Sequence, residues 1–317
     1  MKLPQPSLRQ IIASCELSHD AFSFHYRALK RRIDDAISGS TPASEWVIGP
    51  SRVGKTMLAE HLVRDYARTR VNGIRNIPVL LVKVPNPVSP KEIPKSVLEA
   101  LGLPTPRGSS GELFLKMGRL LKAAGTKVVL FEEASHIVEV GAKMPPRAAG
   151  DWFKQLMDNL GITIILFGVP RLEKLYASNE QLRKRSQARR EFHPYDSTRR
   201  DDYIAFAQCV MTYADMFKAA GREFELPLET LVKHCFLLTG GLVGVLSAFM
   251  RHLAYELEGK AAGSISLEDC ADALKGIEAS GHPSHPAFRD ENVIPAEMEQ
   301  AHIHTLDEAN LKRKELK

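Results

Sequence analysis

The sequence predicts an α/β protein in which a parallel sheet is sandwiched between helices and followed by a small all-helical domain. Two observations predict this fold. Short runs rich in Val, Ile and Leu, typical of strands buried in a parallel sheet, alternate with helical stretches through the first part of the chain. From Thr198 onward the pattern is helical, with turns that contain glycine between the helices. The length of 317 residues suits about two domains.

Strands are predicted where short apolar runs end at polar or turn-forming residues. The first lies at 45–48, the run PVLLVKV supplies the second at 78–84, and the third and fourth lie at 127–131 and 162–167. A fifth strand is predicted at 191–195. Ligands of such sheets bind at the carboxyl ends of the strands, so the loops that follow the strands are expected to form the functional site.

Helices are predicted between these strands and throughout the second half of the chain. Ser18 is expected to cap the first helix, whose apolar face includes Phe22, Leu29 and Ile33. The helices that flank the sheet are predicted at 57–70, 94–101, 111–123 and 151–160. Those of the second half are predicted at 201–217, 228–239, 242–258 and 267–277, with a last helix-like stretch at 296–317.

Four segments follow from this order of elements. They are an N-terminal extension and helix (1–44), the α/β domain (45–197), the helical domain (198–280) and a C-terminal tail (281–317). The tail is polar and ends in LKRKELK, so we expect either a partner-binding segment or a frayed charged end. We expect the tail histidines to be exposed, since no cysteine or carboxylate completes a metal site around them: His282, His285, His302 and His304.

The composition is that of an ordinary globular protein, with 44% hydrophobic and 26% charged residues. A net charge of +5 permits nucleic-acid binding without demonstrating it. The four cysteines are scattered without a C-x-x-C pair, which argues against disulfides and zinc. We find neither a secretory signal nor a run of about 18 apolar residues, and therefore expect a cytoplasmic protein without membrane contact.

One motif carries most of the functional information. The run GPSRVGKT at 49–56 matches the phosphate-binding pattern G-x-x-x-x-G-K-[ST] between a predicted strand and a predicted helix. Lys55 is expected to reach the β- and γ-phosphates of ATP, and the Thr56 hydroxyl to bind Mg²⁺. A chance glycine-rich turn is the alternative. The predicted nucleotide-binding residues are Gly49, Pro50, Ser51, Arg52, Val53, Gly54, Lys55, Thr56 and Met57.

Two glutamates end the predicted strand VVLF and complete this candidate site. Glu132 stands where a nucleotide-hydrolysing protein usually has the aspartate that holds Mg²⁺, so it is the predicted metal ligand together with Thr56. Glu133 stands where a carboxylate orients the attacking water, and we predict it to be catalytic. The alternative is that both glutamates lie on a solvated loop.

Arginines follow the fourth strand, which ends at Gly168-Val169-Pro170 without the polar residue that often senses a γ-phosphate. An arginine donated to a neighbouring subunit would stabilise charge on the transferred phosphoryl group. The cluster consists of Arg183, Arg185, Arg189 and Arg190, and a solvated basic face is the competing interpretation.

Four stretches give the chain a resemblance to the AAA+ ATPases, and more narrowly to the TniB/TnsC family of transposition regulators, which is also similar to MuB. They are GPSRVGKT, VVLFEEASHI, ILFGVPRLEKL followed by NEQLRKRSQARREFHP, and the lid signature LLTGGLVGVLSAFMRHLA. The resemblance spans residues 18–278. It implies catalytic roles for Glu133 and for a trans-acting arginine, of which Arg185 is the first candidate and Arg183 and Arg189 are alternatives.

The resemblance also implies partners. Family members are ATP-dependent, DNA-binding homo-oligomers that form rings or filaments on double-stranded DNA and connect a TniQ-like target selector to transposase subunits. Their DNA-facing loops correspond to 85–94 and 105–110 of this chain. The residues there that suit phosphate contact are Lys91, Lys95, Arg107, Ser109 and Ser110, although Lys91 and Lys95 equally suit an ordinary surface. The loop 141–147 is another candidate contact.

The expected function is therefore a slow, regulatory ATPase that assembles on duplex DNA. One alternative is an ATP-binding scaffold with little hydrolysis, because Glu132 replaces aspartate and Val169 lacks a polar side chain. Another is a replication initiator or a different DNA-remodelling ATPase. An initiator is expected to carry a further winged-helix domain, for which 281–317 is short.

Overall fold

The computed structural model describes residues 7–17, 19–71, 73–103, 107–187, 189–279, 285–290 and 292–314. These residues form two units. The α/β unit consists of the described residues within Ala21–Gly49 and Lys55–Phe192. The helical unit consists of those within Met1–Asp20, Pro50–Gly54 and His193–Lys317.

A five-stranded parallel sheet forms the centre of the α/β unit. The strands of the chain are β1 (Ser44–Ile48), β2 (Thr69–Val71), β3 (Ile74–Asn76), β4 (Val79–Lys83), β5 (Val128–Glu132), β6 (Thr163–Gly168) and β7 (Arg190–Glu191). The sheet has the order β4-β5-β6-β1-β7, while β2 and β3 form a separate antiparallel hairpin. β1 and β6 are buried along their whole length, as expected for central parallel strands. The predicted fold class is confirmed.

The strand register places the candidate site residues at one edge of this sheet. Lys83 at the end of β4 pairs with Glu132 at the end of β5, and Ile48 at the end of β1 pairs with Gly168 at the end of β6. The loops that leave these strands therefore start beside one another, at the carboxyl edge where parallel sheets bind ligands.

Helices cover the sheet and build the second unit. They are α1 (Leu8–Ala13), α2 (Asp20–Ile37), α3 (Lys55–Arg64), α4 (Glu92–Ala100), α5 (Ser110–Ala123), α6 (Pro146–Leu160), α7 (Glu173–Ser178), α8 (Glu180–Lys184), α9 (Arg200–Ala219), α10 (Leu228–Thr239), α11 (Val243–Glu256), α12 (Leu267–Ala279) and α13 (Pro295–Glu308). The local sequence determines where several of these helices begin or end. α6 carries a proline in its first turn and stops at Gly161, which adopts the left-handed conformation (φ 66°) that ends many helices.

Several sequence-based assignments differ from the structure. The strand predicted at 191–195 is only Arg190–Glu191, and the helix-like stretch predicted at 296–317 ends at Glu308. The helix predicted at 57–70 ends at Arg64, and the chain continues into the β2–β3 hairpin instead. The hairpin signal is present in the sequence as Asn72-Gly73 between β-branched residues. The short helix α1 was missed although Ser7 and Gln10 form a capping box. Ser18, the predicted cap of α2, lies outside the described residues.

The described part of the C-terminal segment packs within the helical unit. Phe288 stacks on His234 at 4.8 Å and on Phe249 at 5.1 Å between ring centroids. His302 on α13 is 2% exposed and its Nδ1 lies 3.2 Å from the carbonyl oxygen of Gly240. The prediction that His302 is exposed was therefore wrong, because α13 packs on α10 rather than extending into solvent.

An ion cluster also holds this segment. Arg313 donates to both carboxylate oxygens of Asp196, at 2.7 and 3.0 Å, and to Glu299 at 2.7 Å. Burial would raise the pKa of Asp196, but the hydrogen bonds from Arg313 and Thr198 outweigh it, so this pKa lies well below its usual range.

No single helix in the described ranges is long and apolar enough to cross a membrane; α10 and α11 reach that length and composition only as a pair bent by 113°.

Candidate nucleotide-binding site

The predicted phosphate-binding loop connects β1 to α3, as its pattern requires. Gly49 directly follows β1, and its N–H donates to the carbonyl oxygen of Gly168 at 3.2 Å. Further along the loop, Gly54 has a φ of 112° and Arg52 a φ of 62°. Left-handed residues within a tight turn build the backbone concavities that bind anions, and the first turn of α3 adds the positive end of its dipole.

Lys55 is the first residue of α3 and its side chain folds back along the loop. The Nζ atom donates to the carbonyl oxygen of Gly49 at 2.8 Å. Burial lowers the pKa of Lys55 to about 8. A bound phosphate would supply negative charge to an ammonium that has been taken out of water, so the environment of Lys55 fits an anionic ligand.

Thr56 and Glu132, the predicted metal ligands, lie side by side. The Thr56 hydroxyl hydrogen-bonds to the Glu132 carboxylate. Burial raises the pKa of Glu132, the bond from Thr56 opposes this, and the negative charges of Glu60 and Glu133 raise it further. A divalent cation would favour the ionised carboxylate. The pair offers the hydroxyl and carboxylate oxygens that Mg²⁺ prefers, so these residues fit the predicted ion.

Glu133, the predicted catalytic residue, combines a left-handed backbone with an ion pair. Its backbone is left-handed, with a φ of 53°, which is uncommon for a residue with a side chain. Its carboxylate lies 3.0 Å from Nζ of Lys83 and 3.7 Å from Nδ1 of His136. These contacts direct the carboxylate toward the end of β4, where Lys83 competes with any water for its oxygen atoms.

A cavity of about 330 Å³ lies beside this ion pair at the carboxyl edge of the sheet. It gives solvent a route to the Glu133 carboxylate. The residues that line it are Lys83, Val84, Pro85, Asn86, Ser96, Glu99, Glu133 and His136.

Ser135 supplies a polar group at the end of β6, where the Val169 side chain has none. The Val169 N–H donates to Ser135 Oγ at 2.7 Å, and this hydroxyl lies 3.3 Å from the Val169 carbonyl oxygen. Gly168 permits the approach, since a Cβ there would be 2.4 Å from Ser135 Oγ. Sequence reasoning missed Ser135, Lys83 and His136, because only the parallel pairing of strands places them at the end of β6 or beside Glu133.

Comparison with known proteins identifies the family. Residues 30–193 match the family described as Bacterial TniB protein, which is more than half of the chain. This chain belongs to the TniB family. No curated protein matches the TniB chain at a significant level.

Solved structures similar to this TniB protein share its AAA+ fold. CDC6P from Pyrobaculum aerophilum has a TM-score of 0.62 and 12% identity over 96% of this chain and 86% of its own. The Aeropyrum pernix ORC2 protein, solved as ADPNP-ADP complexes, has a TM-score of 0.59 and 12% identity over 81% and 67%. The Aeropyrum pernix ORC1 protein in complex with DNA has a TM-score of 0.57 and 16% identity over 85% and 69%. At these identities the likeness establishes the fold.

The arginines of the TniB chain differ in their partners. Arg185 lies 2.9 Å from Asp158, Arg190 donates to the buried Glu45 at 2.7 Å, and Arg189 pairs with two glutamates, Glu173 at 3.0 Å and Glu191. Arg183 on α8 is exposed, and its guanidinium makes no ion pair with the described residues. Of the three candidate arginines, Arg183 is the one that makes no ion pair with the described residues.

Within the helical unit, the lid signature contacts Arg52, one of the phosphate-loop residues that belong to this unit. Gly244, near the start of α11, donates its N–H to the carbonyl oxygen of Arg52 at 2.9 Å. A Cβ at Gly244 would lie 2.3 Å from that oxygen, so only glycine allows this approach. A Cβ at Gly241 would likewise lie 2.0 Å from the carbonyl oxygen of Tyr195. The glycines of T-G-G-x-x-G are therefore sites of backbone contact.

The predicted DNA-contact residues fall into three groups. Lys91 and Arg107 are exposed. Lys95 pairs with Glu92 at 2.7 Å. Ser109 caps α5 in a capping box with Glu112, and Ser110 is the first residue of that helix. Part of the predicted loop, at 104–106, lies outside the described residues. The further candidate loop at 141–147 touches the loop after β4, since the Lys143 N–H donates to Val88 at 2.8 Å.

Proposed function

We propose that this TniB-family chain is an ATP-dependent AAA+ regulator of DNA transposition. On this proposal it assembles on duplex DNA when ATP is bound, links a target selector to transposase subunits, and disassembles after slow hydrolysis. The observation that carries the proposal is the set of groups at the carboxyl edge of the sheet. A desolvated Lys55, the bonded pair Thr56 and Glu132, and Glu133 occur together in a chain of this family and fold.

Each of these groups has a defined role. Lys55 and the backbone of 49–54 bind the phosphates, while Thr56 and Glu132 hold Mg²⁺, which when bound neutralises phosphate charge. Glu133 orients or deprotonates the attacking water. Lys83 occupies one of the Glu133 carboxylate oxygens, so release of Lys83 would leave both oxygens for water.

In the assembled protein, a neighbouring subunit supplies the remaining group, an arginine. We assign the arginine that reaches the neighbouring subunit to Arg183, because Arg185 and Arg189 are engaged with acidic residues of their own chain. ATP then lies at a contact between protomers, which couples nucleotide state to assembly. Replacing Arg183 by Ala is expected to lower DNA-stimulated hydrolysis more than replacing Arg185 or Arg189. Equal activity of all three variants would refute this assignment.

Assembly on DNA tests the main proposal. Sedimentation of the protein with a duplex and a non-hydrolysable ATP analogue should yield DNA-bound oligomers with the wild type. Lys55→Ala should lose both this assembly and hydrolysis. Lys233→Ala, which changes a lysine paired with Glu229 on α10, should behave as wild type. Wild-type protein that binds the analogue and forms no DNA-bound oligomer would contradict the transposition role.

An ATP-binding scaffold with little hydrolysis is the second candidate function, and the Lys83–Glu133 ion pair favours it. Phosphate release by wild type and Glu133→Gln, with and without duplex DNA, separates the two. If both proteins are equally inactive while ATP still drives oligomerisation, the scaffold is correct and the enzymatic role is excluded.

A further inference from the structure

Two segments of the chain contain cations and no acidic residue. Residues 66–91 and 113–131 together hold nine Lys and Arg and no Asp or Glu. Since the whole chain has a net charge of only +5, the remainder is net negative. These two segments are therefore strongly basic compared with the rest of the chain taken together.

The fold joins these two segments at the amino ends of β4 and β5. The Ile77 N–H donates to Ala124 at 2.8 Å, and the Lys127 N–H donates to Pro78 at 2.9 Å. This edge lies at the opposite ends of the strands from Lys83 and Glu132. We call its six exposed cations the basic edge: Arg68, Arg70, Arg75, Arg119, Lys122 and Lys127.

The described acidic residues do not neutralise the cations of the basic edge. Among the described residues, none of its six side chains makes an ion pair, and Arg75 instead donates to the carbonyl oxygen of Leu101 at 3.3 Å. Arg70 and Arg75 stand directly opposite each other across the β2–β3 hairpin. Like charges in that position destabilise a strand pair. A polyanion bound across the hairpin would offset that repulsion.

We propose that the basic edge binds the backbone of duplex DNA, with the β2–β3 hairpin entering the major groove. A two-stranded ribbon fits the roughly 12 Å wide major groove of B-form DNA. The major groove of A-form RNA is too narrow for it. The polar cross-strand pair Thr69 and Asn76 suits a hydrated groove rather than a lipid surface. This extends the proposed function to a second DNA contact, and it requires no nucleotide.

The test is nucleotide-free binding of a labelled B-form duplex, measured by fluorescence anisotropy over a range of salt concentrations. Lys55→Ala protein is used, so that ATP-driven assembly cannot contribute. The double variant Arg68→Ser/Arg70→Ser should bind at least tenfold more weakly. Its log–log salt slope should fall by about 2, because each arginine removed leaves one phosphate without its cation. A second variant, Arg119→Ser/Lys122→Ser, should weaken binding in the same direction.

Matched controls decide the outcome. Arg27→Ser/Arg31→Ser removes two exposed arginines of α2 and should leave affinity and salt slope unchanged. Equal affinity of the hairpin variant and this control would overturn the proposal, as would equal binding of an RNA duplex or of anionic vesicles. ATP-driven assembly of wild-type protein is scored separately. Its failure refutes the proposed function alone, whereas unchanged nucleotide-free binding by the hairpin variant refutes the basic edge alone.

Discussion

Replacing Gly244 by alanine tests whether the lid signature positions the phosphate loop. The added Cβ would lie 2.3 Å from the carbonyl oxygen of Arg52. Carbon–oxygen contacts of that kind normally lie at roughly 3.5 Å, so the Arg52 backbone or α11 must move by about 1 Å. The hydrogen bond from the Gly244 N–H, now 2.9 Å long, is lengthened by the same movement.

The expected magnitude follows from this displacement. Overpacking of this kind costs about 1–3 kcal/mol, and misplacing a binding group by about 1 Å costs about a hundredfold in function. Alanine is otherwise favoured over glycine within a helix, by about 1 kcal/mol. Any loss of stability or of ATP affinity must therefore come from the clash. Arg52 is three residues before Lys55, so we expect ATP affinity to fall between tenfold and a hundredfold.

The assay is titration of wild type and Gly244→Ala with a fluorescent ATP analogue, beside thermal unfolding of each protein. Gly263→Ala is the matched control, since nothing lies within 4 Å of a Cβ at that position and its φ is not left-handed. If Gly244→Ala binds the analogue within twofold of wild type, the contact with Arg52 does not position the loop and the reasoning fails.

Three further predictions concern ionised groups. ATP affinity should fall as the pH rises through about 8, by at most tenfold per pH unit, because burial lowers the pKa of Lys55 to about 8 and bound phosphate favours its charged form. Above that pH, ATP binding should therefore take up a proton. Calorimetry in two buffers of different ionisation enthalpy measures this proton uptake. Lys83→Met should increase phosphate release without DNA by freeing Glu133, and an unchanged rate would show that the ion pair does not restrain the carboxylate. Arg313→Ala should lower the free energy of unfolding in urea by about 2 kcal/mol at pH 7, because Asp196 stays buried without its main partner. That difference should narrow below about pH 4, where the carboxyl group is protonated in the unfolded chain.

The strands and the phosphate loop could be predicted because their signals are local. Apolar runs of four to seven residues gave β1, β4, β5 and β6 within about a residue or two, and the loop pattern fixed the position of Lys55 between a strand and a helix. The hairpin at 69–76 was missed because the apolar stripe of α3 was extended past Arg64. Its turn signal, Asn72-Gly73, outweighs helix periodicity in such a short segment.

Contacts between residues that are far apart in the sequence could not be predicted from local patterns. Nothing local marks Ser135 as the group that binds the Val169 backbone, because the contact exists only when β5 and β6 lie side by side. The burial of His302 has the same origin: its spacing in a charged tail resembles that of a solvated histidine until α13 packs on α10.

The four arginines that follow β6 differ in burial and in ion pairing, which the sequence alone does not show. In sequence, Arg183, Arg185, Arg189 and Arg190 form one cluster, yet burial and pairing divide it. Arg190 neutralises Glu45, which is 1% exposed, and so belongs to the core of the α/β unit. An arginine already bonded to a carboxylate must lose that bond before it can reach a phosphate, whereas an unpaired one loses only hydration. Among the described residues, Arg183, Arg68 and Arg70 make no ion pair. Because they lose only hydration on binding an anion, we propose Arg183 for a neighbouring nucleotide and Arg68 and Arg70 for DNA.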